Sequence, residues 1–212
     1  MTVGTSTGSS SGTREVSSVA DLRDAVNHCR RCDRWRAATQ GVPGEGRAGV
    51  PLMLVGEVPG DAEDLAGHPF VGPAGALLDR ALAEAGIDRR GVFVTNAVKH
   101  FKFEQRGKRR LHVKPTIGEI KACHFWLAEE LRLVRPKLVL ALGATAARGL
   151  LGRTVTISAV RGQPMPLGTG THAWVTVHPS SLLRIPEEAS RRAEYARFVR
   201  ELEQVEAWLR QA

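Results

Sequence analysis

Short apolar runs alternate along this chain with longer stretches in which apolar residues recur every three or four positions. The runs fall at residues 52–55, 92–95, 138–142 and 175–177, and each is followed by Gly or a polar residue. Continuous apolar runs of this length read as strands buried on both faces, and the stretches between them read as amphipathic helices. Helices are predicted over 18–28, with Ser17 or Ser18 as a cap, over 74–85 with Gly86 as the stop, and over 116–134, where Thr116 and Glu119 form a capping box. A short helix follows Gly143 and reaches 151, and a long one runs over 186–210. Strand-helix alternation calls for parallel strands joined by right-handed crossovers. The predicted fold is therefore α/β: a three-layer α/β/α sandwich around a mainly parallel sheet of about four strands, with no internal repeat.

The 212 residues and 42% hydrophobic content fit one domain, placed at 16–212. Residues 1–15 are mostly Ser, Thr and Gly with little apolar content, and read as a disordered polar tail without the core of a secretory signal. No run approaches the roughly 18 apolar residues of a membrane span, so a soluble, cytoplasmic protein without a membrane partner is expected. A monomer is the expected state. The net charge of +8 favours a polyanionic partner, nucleic acid above all. The excess concentrates at Lys99, Lys102, Arg106, Lys108, Arg109, Arg110 and Lys114, a block suited to phosphate contacts. Three cysteines are an odd number for a disulfide framework and leave metal or cluster ligation as the competing use.

The densest punctuation follows the first strand, where Gly56, Pro59, Gly60, Pro69, Gly72 and Gly75 surround Glu57, Asp61, Glu63 and Asp64. A loop at a strand's carboxyl end is where open α/β sheets bind ligands, although acidic surface loops are also common. In a parallel sheet, Glu57, Asn96 and His178 leave strand ends on the same edge and can converge. Each also has a plainer reading: Asn96 as a turn residue and His178 as the end of a strand.

Gly56-Glu57-x-Pro-Gly60, the segment from Gly67 through Pro69-Phe70-Val71-Gly72 to Gly75, Thr95-Asn96-x-Val-Lys99, Leu142-Gly143 and His178-Pro179-Ser180 resemble the family 4 uracil-DNA glycosylases in order and spacing, over residues 29–183. The resemblance implies a uracil-containing DNA partner, single- or double-stranded, and a base flipped into a pocket. It implies that His178 hydrogen-bonds the uracil carbonyl, Asn96 pairs with its Watson-Crick edge, Phe70 stacks on its face and Glu63 lies near its C5 edge to exclude thymine. Ser180, Lys108, Arg109 and Arg110 are then DNA contacts. It also implies a [4Fe-4S] cluster on Cys29, Cys32, Cys123 and a fourth ligand. His100 stands where the family has its third cysteine, and the same set of donors could instead hold zinc.

The run Lys108-Arg109-Arg110-Leu111-His112 looks like the UdgX branch, whose members bond the loop histidine to the sugar after uracil leaves. Read without the resemblance, the run is a set of phosphate clamps with an incidental histidine. With it, His112 becomes the nucleophile and Glu57 the group that stabilises the sugar cation and takes the histidine proton, while Asp61 and Asp64 steady the basic loop through Arg109 or Arg110. Val58 departs from the family, which has Gly or Gln at that position. The alternatives are an ordinary hydrolytic glycosylase that turns over and a DNA-binding protein, stabilised by cluster or zinc, that has lost catalysis.

Overall fold

The computed structural model describes residues 16–168 and 170–212. The polar tail expected over 1–15 lies outside them. The elements run α1 (Val19–Asn27), β1 (Leu52–Gly56), α2 (Asp61–Ala66), α3 (Pro73–Glu84), β2 (Val92–Asn96), β3 (Phe103–Arg106), β4 (Arg109–His112), α4 (Ile117–Val134), β5 (Leu138–Leu142), α5 (Ala144–Leu151), α6 (Ile157–Val160), β6 (Met165–Pro166), β7 (His172–Thr176), α7 (Pro179–Leu183) and α8 (Glu188–Gln211).

The main sheet has the order β2-β1-β5-β7-β6. β2, β1, β5 and β7 are mutually parallel, as predicted, and the two-residue β6 adds an antiparallel edge that the sequence did not reveal. Alternate residues of each strand face opposite layers. Leu52, Leu54, Val94 and Leu140 pack with Leu78 and Leu82 of α3 and Phe198 and Leu202 of α8. Met53, Val55, Phe93 and Val139 pack with Leu127 of α4 and Ala146 and Leu150 of α5. This double burial explains why the strands are continuously apolar. The free edge of β2 is covered by the segment before β1, where Glu45 and Val94 exchange backbone hydrogen bonds of 2.8 and 2.7 Å. A third cluster ties α1 to α4 through Leu22, Val26, Ile120 and Trp126.

Helix bounds follow the predicted ones within a few residues, and Thr116 and Glu119 form the expected capping box. The short helices α6 and α7 were not predicted, and three further segments depart from expectation. The acidic loop folds as α2 from Asp61 onward. The basic loop is an antiparallel hairpin, β3 against β4, that turns through Gly107 at φ 59° and aligns Phe103 with His112. The last strand ends at Thr176, earlier than the 175–177 run suggested.

In the β1–β2 register Gly56 lies opposite Asn96. A Cβ at Gly56 would stand 2.2 Å from Asn96 Oδ1 and 2.7 Å from the Phe70 ring. Gly56→Ala is therefore expected to lose about 1–3 kcal/mol by overpacking, measured as a lower urea midpoint with an unchanged slope.

Candidate active site

The parallel strands end on one edge, and there a cavity of about 800 Å³ is lined by Glu57, Glu63, Phe70, Asn96, His112 and His178, with Lys114 and Arg184 also on its wall. The convergence expected from topology is present.

Each group is held from behind. Glu57 follows β1 directly, and its Oε1 accepts a 2.8 Å hydrogen bond from Thr145 Oγ1 in the first turn of α5, where the helix end favours negative charge. Asn96 closes β2 and is 2% exposed. Phe70 sits in the left-handed region at φ 60°. Its carbonyl lies where a Cβ at Gly75 would come within 1.6 Å, so only glycine lets α3 start so close beneath it. The ring stands 6.0 Å from the His178 ring at 27°. Glu63 lines the cavity, and its carboxylate accepts the N–H of Gly60, the residue that precedes α2. Burial raises its pKa, opposed by backbone donors at Gly60, Gly72 and Phe70.

His178 shows its tautomer. The Ser180 backbone N–H, which can only donate, reaches Nδ1 at 3.1 Å. Nδ1 therefore carries a lone pair, and the neutral ring must bear its proton on Nε2. Burial, the Arg184 charge and His112 lower the pKa to about 4, so at neutral pH His178 is an uncharged Nε2–H donor. Ser180, read from sequence as a DNA contact, spends its hydroxyl here too, 2.9 Å from Nδ1.

His112 ends β4 at the cavity. Desolvation lowers its pKa, and Arg184 and Lys114 add to the effect while Glu57 opposes it. A neutral imidazole keeps a free lone pair, as a nucleophile requires. Its hairpin is pinned by one arginine: Arg110 Nε lies 2.5 Å from Asp61 and Nη1 2.6 Å from Asp64, which is fully buried and also accepts the Thr39 N–H. The Arg110 guanidinium lies over Phe101 at 5.3 Å and Phe103 at 5.2 Å, and Phe101 stands 6.4 Å from the His112 ring. Of the two arginines the sequence left open, Arg110 makes this contact. Arg109 and Lys108 are exposed along a shallow outer groove. Thr145, Arg184 and Phe101 were not anticipated, and Lys114 was read only as one of the basic residues suited to phosphate contacts; for Thr145 there was a signal, its place just after Leu142-Gly143.

Away from the cavity, Cys29 and Cys123 are buried, and Cys32 is partly so. Trp126 Nε1–H donates to Cys29 Sγ at 3.0 Å and the Lys99 N–H to Cys123 Sγ at 3.4 Å. A hydrogen bond from Cys123 lowers the Cys32 thiol to about 6. His100 is 2% exposed, kept neutral by burial, and its Nδ1 has no hydrogen-bond partner. Among the described residues, no group of three or more His, Cys, Asp or Glu is arranged to hold a metal ion. The donor chemistry nevertheless suits a cluster, since N–H groups directed at sulfur and an orphaned buried imidazole are what cluster ligands show. No helix among the described residues is long and apolar enough to cross a membrane.

Residues 43–203 match the uracil DNA glycosylase superfamily. The chain is 38% identical to a type-4 uracil-DNA glycosylase of Thermotoga maritima, over 77% of this chain and 82% of that protein. It is 34% identical to one of Pyrobaculum aerophilum, over 78% and 84% respectively. A third, from Archaeoglobus fulgidus, is 33% identical over 81% of this chain and 86% of its own length.

Because the folded pKa of His178 is about 4, against an unfolded value near 6.5, its contribution to stability is complete above about 6.5. It is lost as pH falls from there toward 4, where the unfolded chain takes up a proton that the folded ring refuses. Replacing His178 with Asn is expected to flatten the fall in urea midpoint over that window. Histidine ¹⁵N shifts should report a protonated Nε2 and a bare Nδ1 down to about pH 5 in the wild type.

Proposed function

The chain belongs to the uracil DNA glycosylase superfamily, and from that premise we propose that it excises uracil from DNA and keeps the abasic sugar as a covalent adduct on His112. The observation that carries this reading is the position of His112 on the wall of the cavity that also holds Glu57 and His178.

In this reading a flipped uracil stacks on Phe70 and pairs with Asn96, and cytosine would leave the carboxamide mismatched. Glu63 borders the pocket on the C5 side. The bond from C1′ to uracil N1 breaks and its electron pair leaves with the base. His178 Nε2–H donates to the carbonyl on which that charge gathers, a fixed donor that needs no reorganisation. As positive charge develops on the sugar, one ring nitrogen of neutral His112 gives its lone pair to C1′ and the N–H proton of the other passes to the Glu57 carboxylate. Thr145 steadies that carboxylate. Asp61 and Asp64 hold the hairpin through Arg110, while Lys108 and Arg109 meet the phosphates. With the imidazole where a water would attack, the protein reacts once.

Cys29, Cys32, His100 and Cys123 would hold a [4Fe-4S] cluster, with zinc as the alternative. Bound there, the group would supply a structural cross-link between the end of α1, the segment after β2 and α4.

A second reading, hydrolysis with turnover, is favoured by the type-4 names of the relatives. A denaturing gel with a uracil oligonucleotide and a thymine control separates the two. The expected result is a shifted band that depends on uracil and disappears in His112→Ala, which readmits water and releases abasic product. Uracil release without the band would assign the wild type to hydrolysis. Elemental analysis is expected to find iron and sulfide rather than zinc, and Cys123→Ala to lower both the iron content and the melting temperature.

A further inference from the structure

Lys99 and Glu130 form an ion pair, Nζ to Oε2 at 2.7 Å, with both side chains fully buried. Neither touches the cavity. The ammonium's three protons have three acceptors: Glu130 Oε2, Thr95 Oγ1 at 2.6 Å and the Asn96 carbonyl oxygen at 2.7 Å. The other carboxylate oxygen of Glu130 accepts from Thr95 Oγ1 and from the Gly44 N–H, each at 3.0 Å. Stability alone does not call for such a pair, since apolar residues of similar volume commonly serve a core as well or better. A buried charge does offer direction.

That direction falls on Asn96. The carbonyl of the peptide joining Asn96 to Ala97 receives the Lys99 ammonium, and its N–H donates to the Gly56 carbonyl at 2.9 Å. Both polar ends of this peptide are engaged, one by a charge-assisted bond, which is the stronger kind. The next amide, Val98 N–H, donates to the Glu57 carbonyl at 3.1 Å. The backbone is thus fixed just where Asn96 leaves the strand and projects its carboxamide over Gly56. We propose that Lys99, held by Glu130, is the positioning residue that fixes the angle at which Asn96 presents its carboxamide to the base. This rests on the reading that Asn96 pairs with uracil.

The test measures binding of free uracil and free cytosine by calorimetry to the protein without DNA, alongside thermal melting. The proteins are wild type, Asn96→Ala, Lys99→Met/Glu130→Met and the triple variant. The expected result is that the double variant melts cooperatively yet binds uracil about tenfold more weakly, with a smaller preference over cytosine. The triple variant should be no worse than Asn96→Ala, because the pair acts through that side chain. A folded double variant with wild-type affinity, beside a weakened Asn96→Ala, would overturn the positioning role. Wild-type affinity in Asn96→Ala would instead overturn the base-reading role beneath it. If the double variant does not fold, Glu130→Gln, which keeps the shape and loses the charge, takes its place: unchanged uracil affinity and preference there rejects the proposal.

Discussion

The site depends on a single vacancy, the missing side chain at Gly56. β1 and β2 run in register to their ends, so that Gly56 faces Asn96, and the Phe70 ring closes in from the segment before α3. The Asn96 carboxamide and the Phe70 ring approach the Gly56 backbone so closely that no room is left for a Cβ. Glycine in a strand interior weakens the strand, and at the end of this one it permits a close approach. The carboxamide of Asn96 and the ring of Phe70 can border one cavity because nothing stands between them. A second glycine supports the first. Gly75 lets the start of α3 lie against the Phe70 carbonyl and so holds that residue at a positive φ that phenylalanine seldom adopts.

Around that gap, burial sets the protonation states. His178 and His112 both lose affinity for protons chiefly through desolvation, with the Arg184 charge acting in the same direction on each. The attack proposed for His112 needs a lone pair and hence a neutral ring, which a positive neighbour helps to maintain. Arg184 reaches this place because α7 is short and ends there, and the same short helix sends the Ser180 N–H back to His178. The turn that ends β7 therefore sets both the tautomer and the charge of its histidine.

Much of this was legible in the sequence, for identifiable reasons. Strands buried on both faces are continuous apolar runs, and the Thr116–Glu119 box marks its helix start, so the layers and the shared edge could be predicted. α2 could not, because its six residues are fewer than two turns and carry three acids. The hairpin was hidden because β3 and β4 are mostly exposed and polar, without the period-two apolar signal that marks a half-buried strand. Choosing Arg110 over Arg109 required knowing that the segment is a strand, since neighbours on a strand point to opposite faces. A partner distant in the chain, such as Glu130 for Lys99, leaves no local trace at all.

The hairpin shows how a strand conformation changes an energetic estimate. Read as a loop, the contact of its basic run with Asp61 and Asp64 is an exposed pair worth about 0–1 kcal/mol. Asp61 is half exposed and fits that estimate, but Asp64 is fully buried. A buried carboxylate that loses its cation costs about 3–5 kcal/mol, moderated here by the Thr39 N–H. Asp64 therefore holds the hairpin, and Asp61 orients the arginine. Because residues 110 and 112 lie on the same face of β4, securing one guanidinium against Asp64 and the Phe101 ring also brings the His112 imidazole to the cavity. The strand thereby carries the imidazole to the cavity wall.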